Sequence, residues 1–377
     1  MDPLTHSLLG AAIARTRVAR GMPMETVALV GGANLPDVDV ASAVLGSDAS
    51  LGFRRGWTHG PLALAVLPPL LAAGLLAWAR WGPRRSADLA SAHGGRLLAL
   101  TYLGCLTHPL LDWLNTYGVR LLMPLDGRWF YGDALFIIDP WLWLVLGGAV
   151  FLGSERRKFP WAWATLAVLA SLIVLRAGAT VPPAARGVWV VGLLALVVLR
   201  RTQLRARPAA VATTALGLTL AYVCAMIGVT TVGSAHVERE LASRGMRDVE
   251  CLMVGPEPAN PFAWDVVADL GDRYVHGTLR WLPRPTLALE PEPILKPSPS
   301  PVLDAARGAP HVQGALSWMR FPYAEIEETR TGWTVWLLDA RYVRVRSRGF
   351  GAAVVEVPRQ DRSDRPADRS GRFPDGS

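Results

Sequence analysis

The chain has 377 residues, of which 51% are hydrophobic and 19% are charged, and its mean hydropathy is +0.25. Several long stretches carry no charged residue, a pattern that a soluble domain of this length would rarely tolerate. The composition therefore excludes an ordinary soluble protein and indicates a membrane protein. The net charge of +8 comes largely from arginine clusters between apolar segments, which favours contact with anionic membrane lipids, and no nucleic-acid-binding motif is present.

Apolar segments that could lie in a membrane follow one another from the N-terminus to about residue 234. A helix that crosses a bilayer needs about 20 mostly apolar residues. The first two segments are shorter and could be half-buried or re-entrant, so the sequence predicts an all-α polytopic membrane protein with about six to eight membrane segments. In chain order, the segments are residues 4–14, 26–36, 61–79, 97–111, 134–153, 159–175, 187–199 and 208–234.

Composition divides the chain into four predicted parts. Residues 1–150 contain the candidate site and form a membrane-embedded core, and residues 151–234 add transmembrane helices. Residues 235–357 carry short β-branched and aromatic runs that predict a small β-rich soluble domain. Within it, the proline-rich residues 283–301 predict an extended linker or a long excursion rather than a regular element. Residues 358–377 have few apolar side chains and predict a disordered tail.

Basic residues cluster in alternate loops and predict the orientation in the membrane. Short loops rich in lysine and arginine face the cytoplasm. This rule places the loops around residues 80–85, 156–158 and 200–207 inside, and the C-terminal domain and the candidate site outside. Arg54 and Arg55 depart from the rule, which we interpret as a role in binding an anionic substrate.

Three of the seven histidines follow a threonine, as Thr5-His6, Thr58-His59 and Thr107-His108. His108 and Asp112 are four residues apart on a predicted helix, so they share one face and can bind one ion together. Asp2 and His6 repeat this spacing, although Asp2 before Pro3 is also a typical helix cap. The three threonines either support the histidines or bond back to their own helix.

Two further carboxylates, Asp37 and Asp39, follow Asn34 and Pro36 inside an apolar segment. Proline interrupts a helix, and irregular polar backbone at membrane depth is tolerated where it lines a cavity. We therefore expect both aspartates to be ligands. Asp139, alone in another apolar run, is either an additional ligand or a structural hydrogen-bonding group.

Imidazole and carboxylate ligands together suit zinc, manganese or iron better than calcium, with zinc or manganese favoured, and the set is large enough for one or two divalent ions. Such ions activate water, so the sequence predicts a metal-dependent hydrolase. Arg54 and Arg55 favour a phosphoester substrate, either a phospholipid or a lipid-linked phosphate. The residues predicted to take part in catalysis are His59, Asp39 and Arg55.

The motifs Asp2…Thr5-His6, Asn34-x-Pro36-Asp37-x-Asp39, Arg55-Gly-Trp-Thr58-His59 and His108-x3-Asp112 occur in this order within roughly the first 150 residues. This pattern resembles the bacterial YdjM-type inner-membrane metal-dependent hydrolases, in a long form with a C-terminal soluble domain. The order of ligands is also similar to that of the zinc-dependent phospholipase C and nuclease group, but the later His-x3-Glu pair of that group is absent. The resemblance to the YdjM type implies an inner-membrane location and a metal site formed by His6, Asp37, Asp39, His59, His108 and Asp112.

Two other functions fit the same residues. A metal-binding transporter or channel would need polar groups through both leaflets, whereas the candidates gather near one face. A non-enzymatic envelope protein could hold a structural metal ion, for which a closed set of four ligands is typical.

Overall fold

The computed structural model describes residues 1–19, 24–81, 94–154, 159–177, 181–201, 208–342 and 350–359. The chain divides into two compact units, Met1–Leu295 and Lys296–Ser377. The first unit contains the helices of the membrane region and a β-sheet. Its helices are α1 (Pro3–Ile13), α2 (Glu25–Asn34), a 3₁₀ helix (Leu35–Leu45), α3 (Ser47–Phe53), α4 (Pro61–Trp81), α5 (Gly94–Trp113), α6 (Pro140–Leu152), α7 (Phe159–Arg176), α8 (Pro183–Arg201) and α9 (Pro208–Ser243).

Helix α1 begins where the sequence predicts. Asp2 Oδ1 accepts a hydrogen bond from the Thr5 backbone N at 3.0 Å, and Pro3 takes the first helical position, where its missing N–H costs nothing. The Trp143 indole N–H also points to the Asp2 carboxylate, at 3.2 Å. Asp2 therefore caps α1 and ties it to α6.

Close packing of α1, α2 and α5 depends on glycine. A Cβ atom added at Gly104 would lie 2.6 Å from the Leu29 carbonyl oxygen, and one at Gly32 would lie 2.8 Å from the Thr101 carbonyl oxygen. Gly10 of α1 approaches the Leu29 carbonyl oxygen in the same way. Any side chain at these positions would push the backbones apart, so glycine allows the three helices to bring their polar ends together.

The chain changes its helical form at the predicted interruption. Helix α2 ends at Asn34, and the 3₁₀ helix begins with Leu35 and Pro36, because proline has no N–H to continue an α-helical ladder. Gly46, with φ of 102°, then turns the chain into α3. The 3₁₀ helix and α3 form a short hairpin between α2 and α4.

Among the described residues, four helical segments are long and apolar enough to cross a membrane: Glu25–Leu45, Pro61–Trp81, Pro183–Arg201 and Pro208–Ser243. Pro140–Leu152 and Trp161–Arg176 are shorter apolar helices. The predicted six to eight spans are therefore not confirmed. Helix α5 contains Arg96, His108 and Asp112, and these polar residues lower its hydropathy. Residues 82–93, 155–158 and 202–207, which include most of the basic residues used to predict orientation, lie outside the described part of the chain.

The sheet of the first unit is antiparallel and extends the membrane helices' core. Strands β1 (Cys251–Glu257), β2 (Asn260–Asp269), β3 (Arg273–Arg280) and β4 (Thr286–Leu289) are adjacent in this order, and β5 (Ile294–Leu295) pairs with β3. Val254, Trp264 and Leu279 pack in one hydrophobic cluster with Val237 and Leu241 of α9. The prediction of a linker at residues 283–301 was wrong for β4 and β5, since the prolines leave enough backbone N–H groups between them for pairing with β3.

The second unit contains an antiparallel sheet of β6 (Pro322–Glu328), β7 (Gly332–Asp339) and β8 (Ala353–Pro358). Helices α10 (Pro301–Arg307) and α11 (Gln313–Trp318) precede it. The prediction of a β-rich C-terminal region is confirmed. The predicted disordered tail, residues 358–377, lies almost entirely outside the described residues.

Candidate metal centre

Four structural elements bring the predicted ligands together. His6 lies on α1, Asp37 and Asp39 on the 3₁₀ helix, His59 in the turn before α4, and His108 and Asp112 on α5. His6, His59, His108 and Asp112 are fully buried, and Asp39 is 2% exposed. Asp37 is the most exposed of the six, with 14% of its side chain accessible.

His108 is oriented by α2. Its Nδ1 lies 2.6 Å from the Ala33 carbonyl oxygen, which can only accept a hydrogen bond. The Nδ1 atom must therefore carry a proton and donate it. In the neutral ring, this leaves the lone pair of Nε2 directed into the centre.

His59 also has its Nε2 directed into the centre, and Thr58 and Asp39 hold its ring in this orientation. The Thr58 hydroxyl donates to Asp39 Oδ2 at 2.9 Å, so its oxygen is left to accept from His59 Nδ1, also at 2.9 Å. Burial lowers the pKa of His59, and the nearby Asp112 carboxylate opposes that shift. With Nδ1 donating to Thr58, a neutral ring directs its Nε2 lone pair into the centre.

These orientations place several electron-pair donors against one another. His59 Nε2 and His108 Nε2 are 3.1 Å apart, and Asp112 Oδ2 is 3.2 Å from the first and 3.5 Å from the second. Asp37 Oδ1 lies 3.7 Å from His108 Nε2. One ligand atom from each of Asp37, His59, His108 and Asp112 lies within 4.8 Å of the others. Imidazole Nε2 atoms and carboxylate oxygens are the ligands that divalent transition metals use, so the arrangement fits a bound cation.

Arg55 is buried beside the centre and contacts Asp112 and Asp39. Only 3% of the residue is exposed. Its Nε lies 3.0 Å from Asp112 Oδ2, its Nη1 donates to Asn115 Oδ1 at 3.0 Å, and its guanidinium lies over the Tyr117 ring. Its backbone N donates to Asp39 Oδ2 at 2.7 Å. Arg55 thus contacts two of the predicted ligands, Asp112 and Asp39, and two residues of the loop that follows α5, Asn115 and Tyr117.

Arg54 has a different environment, although it is the adjacent residue. Its side chain is 30% exposed, and its Nη2 and Nε atoms lie 3.8 Å from Asp37 and 3.7 Å from Asp39, respectively. Arg55 has a positive φ of 53°, so the chain turns sharply here and the two arginine side chains lie in different surroundings. Arg54 borders the accessible edge of the centre.

His6 contacts Oδ1 of Asp112, whereas His59 and His108 lie near Oδ2. Its Nε2 is 3.3 Å from Asp112 Oδ1, and its ring stacks on His108 with centroids 3.8 Å apart. The α-amino group of Met1 contacts the same oxygen. Within the described part of the chain, His6 Nδ1 and Asp39 Oδ1 are buried without a hydrogen-bond partner. The Asp112 carboxylate therefore lies between two groups of nitrogen atoms.

The three Thr-His dipeptides turn out to serve different purposes. Thr58 connects Asp39 to His59, whereas Thr107 bonds back to the Gly104 carbonyl of its own helix at 2.6 Å. Thr5 bonds to Asp2. The three histidines of the dipeptides lie close together, but only Thr58 contacts the ring of its own histidine.

Two polar residues near the centre were missed in the sequence. Asn115 lies three residues after Asp112, and it accepts from Arg55 and from the Tyr117 backbone N. Arg120 donates to the carbonyl oxygens of Gly52 and Arg54 and thereby fixes the turn that carries both arginines. Their position after the predicted span was a signal, but a polar interfacial loop explains such residues equally well.

Asp139 has a structural role. Its Oδ1 accepts hydrogen bonds from the backbone N atoms of Trp141 and Leu142, so it caps α6. The Tyr222 hydroxyl donates to Oδ2 at 2.9 Å. Of the two alternatives for Asp139, the structure favours the hydrogen-bonding group.

Comparison with known proteins identifies the region that carries the centre. Residues 1–181 match the YdjM inner membrane protein family. The resemblance inferred from the motifs is thereby confirmed, and the match covers just under half of the chain, followed by an additional C-terminal region. Every residue of the candidate centre lies in the YdjM region. No curated protein and no solved structure matches the chain.

Proposed function

We propose that the YdjM region is a metal-dependent hydrolase that cleaves a phosphoester at the membrane surface. The observation that carries this proposal is the close approach of the Nε2 atoms of His59 and His108 and the Asp112 carboxylate. A divalent cation would be coordinated by these groups. Bound there, a metal ion lowers the pKa of a water ligand and polarises a phosphoryl oxygen.

Four residues would hold the ion. His59 and His108 supply Nε2, and Asp37 and Asp112 supply carboxylate oxygens. Zinc or manganese suits this mixed set. Asp112 also presents Oδ1 to His6 at 3.3 Å, so this carboxylate could bridge to a second ion on the His6 side. His6 and Asp39 stay predicted ligands.

The other residues would orient these ligands. Asp39 fixes the tautomer of His59 through Thr58, and the Ala33 carbonyl does the same for His108. Arg55 neutralises part of the charge of Asp112 and holds its orientation. Such supporting groups commonly change metal affinity by 10- to 100-fold when they are removed.

Arg54 is the residue we assign to the substrate. Its guanidinium is partly exposed beside Asp37, where it can donate to a phosphoryl oxygen. In the hydrolysis, the oxygen of water bonds to phosphorus and the ester P–O bond breaks. A proton from the water passes to the leaving alcohol, and no oxidant or second substrate is needed.

One observation favours a second candidate, a structural metal site. Four donors within 4.8 Å is the number that closed structural zinc sites use. A catalytic site keeps a position open for water. Cobalt substitution separates the two, since added phosphate should change the visible spectrum of an open site and leave that of a closed site unchanged.

The test of the proposal begins with metal analysis of the purified full-length protein, followed by a screen of phosphoester and carboxylic ester substrates. His108→Ala should lose metal and activity together. His311→Ala is the matched control, because His311 is exposed and lies outside the YdjM region. Wild-type protein that binds metal but hydrolyses no ester would support the structural site.

A further inference from the structure

At the exposed edge of the centre, charged residues lie next to exposed apolar residues in the chain. Asp37 and Arg54 are charged residues at the centre that are partly exposed, with 14% and 30% of their side chains accessible, and these side chains approach each other to 3.8 Å. Each is followed or preceded by an exposed apolar residue, Val38 at 53% and Phe53 at 39%. Exposed apolar side chains therefore adjoin both of these charged residues in the chain.

The apolar border continues over the whole hairpin made by the 3₁₀ helix and α3. Val40 is 54% exposed, Val44 86% and Leu45 76%, and Trp57 after the hairpin is 45% exposed. Between Val40 and Phe53, the sequence contains a single ionisable side chain, Asp48. Exposed apolar patches of this kind mark interaction surfaces, since water would penalise them.

The position of the patch in the chain indicates what covers it. The hairpin directly follows α2 and leads into α4, and the 3₁₀ helix itself belongs to the apolar segment Glu25–Leu45 that is long enough to cross a membrane. Leu62 and Val66 on α4 are also exposed, which continues the apolar surface along a helix that is long and apolar enough to cross a membrane. The exposed apolar surface of the hairpin therefore adjoins the exposed apolar surface of a candidate membrane span.

We propose that the hairpin lies among the acyl chains of the bilayer and that the metal centre receives its ligand from the lipid phase, between Asp37 and Arg54. The ligand is then a lipid with a terminal phosphate, whose chains stay beside Val40, Val44 and Phe53 while the phosphate meets Arg54. This inference rests on the proposed function for the reaction at the phosphate, but the location of the hairpin does not depend on it.

The location can be measured with a nitroxide spin label on Val44→Cys in the full-length protein, with Cys224 and Cys251 replaced by serine. The protein is placed in nanodiscs of phosphatidylcholine and phosphatidylglycerol. Leu194→Cys on the exposed face of α8 is the lipid control, and Thr331→Cys in the turn between β6 and β7 is the water control. The label at residue 44 should collide with oxygen as at residue 194, and a profile like that of residue 331 overturns the proposal.

The ligand can be tested with phosphatidic acid that carries a photoreactive group in its acyl chain. Crosslinks should map to residues 38–57, and Arg54→Gln should reduce them about tenfold, as expected for loss of a charged hydrogen bond. Arg128→Gln is the matched control, since Arg128 is an exposed arginine of another loop. Inorganic phosphate should compete poorly, because it lacks the chains.

The outcomes separate the two proposals. Crosslinks confined to α8 and α9, or crosslinks that do not depend on Arg54, overturn entry from lipid. Equal competition by inorganic phosphate also overturns it, because recognition would then need no lipid. If crosslinking succeeds while the metal-loaded protein hydrolyses no phosphoester, the hydrolase function fails and the lipid site stands.

Discussion

Replacement of Arg55 tests whether this residue stabilises the buried Asp112 carboxylate or binds the substrate. The sequence predicts that Arg55 grips an anionic substrate, so its loss should raise KM and leave metal content unchanged. In the structure, its guanidinium lies 3.0 Å from Asp112, donates to Asn115 and covers Tyr117, and only 3% of the residue is exposed. Arg55→Gln would leave the buried Asp112 carboxylate without its permanently charged neighbour.

The expected loss of stability in Arg55→Gln follows from the burial of this ion pair. Removing one partner of a buried ion pair costs about 3–5 kcal/mol, because the remaining charge is left uncompensated. At about 2–4 °C per kcal/mol for a chain region of this size, the metal-free variant should melt roughly 6–20 °C lower than wild type. Saturating zinc should recover part of the loss, since the ion itself neutralises Asp112.

The assay is thermal unfolding of the detergent-solubilised protein with and without zinc. Arg54→Gln is the matched control: Arg54 is partly exposed and should contribute no more than about 1 kcal/mol. If Arg55→Gln melts like wild type and only raises KM, Arg55 binds substrate, and its proposed role in stabilising Asp112 is refuted. If Arg54→Gln gives the larger loss of stability, the assignment of the two arginines must be exchanged.

The remaining predictions concern metal, packing and orientation. His108→Ala should abolish metal binding while the protein still inserts, and retention of stoichiometric metal, as in His311→Ala, would exclude this centre. Gly104→Ala should weaken metal binding at least about tenfold, because its Cβ would lie 2.6 Å from the Leu29 carbonyl oxygen, whereas Gly74→Ala has open space and should bind normally. Equal affinities for both glycine variants would contradict the role of helix packing. Asp272→Cys in the exposed turn between β2 and β3 should react with an impermeant reagent from outside intact cells, and reaction only after lysis would reverse the predicted orientation.

The sequence could predict which residues meet, because their chemistry is unusual where it occurs. Histidines and aspartates inside apolar segments are expensive unless they share a site, so His59, His108 and Asp112 could be identified without coordinates. The individual roles of the candidate residues could not be predicted from the sequence. Asp37 and Asp39 are two residues apart and chemically identical, yet Asp37 faces His108 while Asp39 supports the turn around Thr58.

The two arginines illustrate the same limit. Arg54 and Arg55 form one basic pair in the sequence, and a common role was the natural interpretation. The positive φ of Arg55 separates them, and positive φ at a non-glycine residue is a consequence of tertiary contacts rather than of local propensity. Here the contacts are the hydrogen bonds that Arg120 and Asp39 make to the turn.

Prediction of the helices was limited by polar residues within them. Apolar length identified α4, α8 and α9 as segments able to span a membrane. The second segment was expected to end near Pro36, but the chain continues as a 3₁₀ helix to Leu45, since proline at the first turn of a new helix is compatible with its geometry. The extension matters because it carries both aspartates and the exposed apolar hairpin.

Helix packing and metal chemistry are connected through a single carbonyl group. Gly32 and Gly104 let α2 and α5 approach until the Ala33 carbonyl oxygen lies 2.6 Å from His108 Nδ1. That distance decides which nitrogen of His108 holds the proton, and the tautomer in turn decides that Nε2 can bind a cation. Glycines without any ligand atom thus control the donor strength of the centre. A substitution that separates the helices by a few tenths of an ångström should therefore affect metal affinity before it affects insertion or fold.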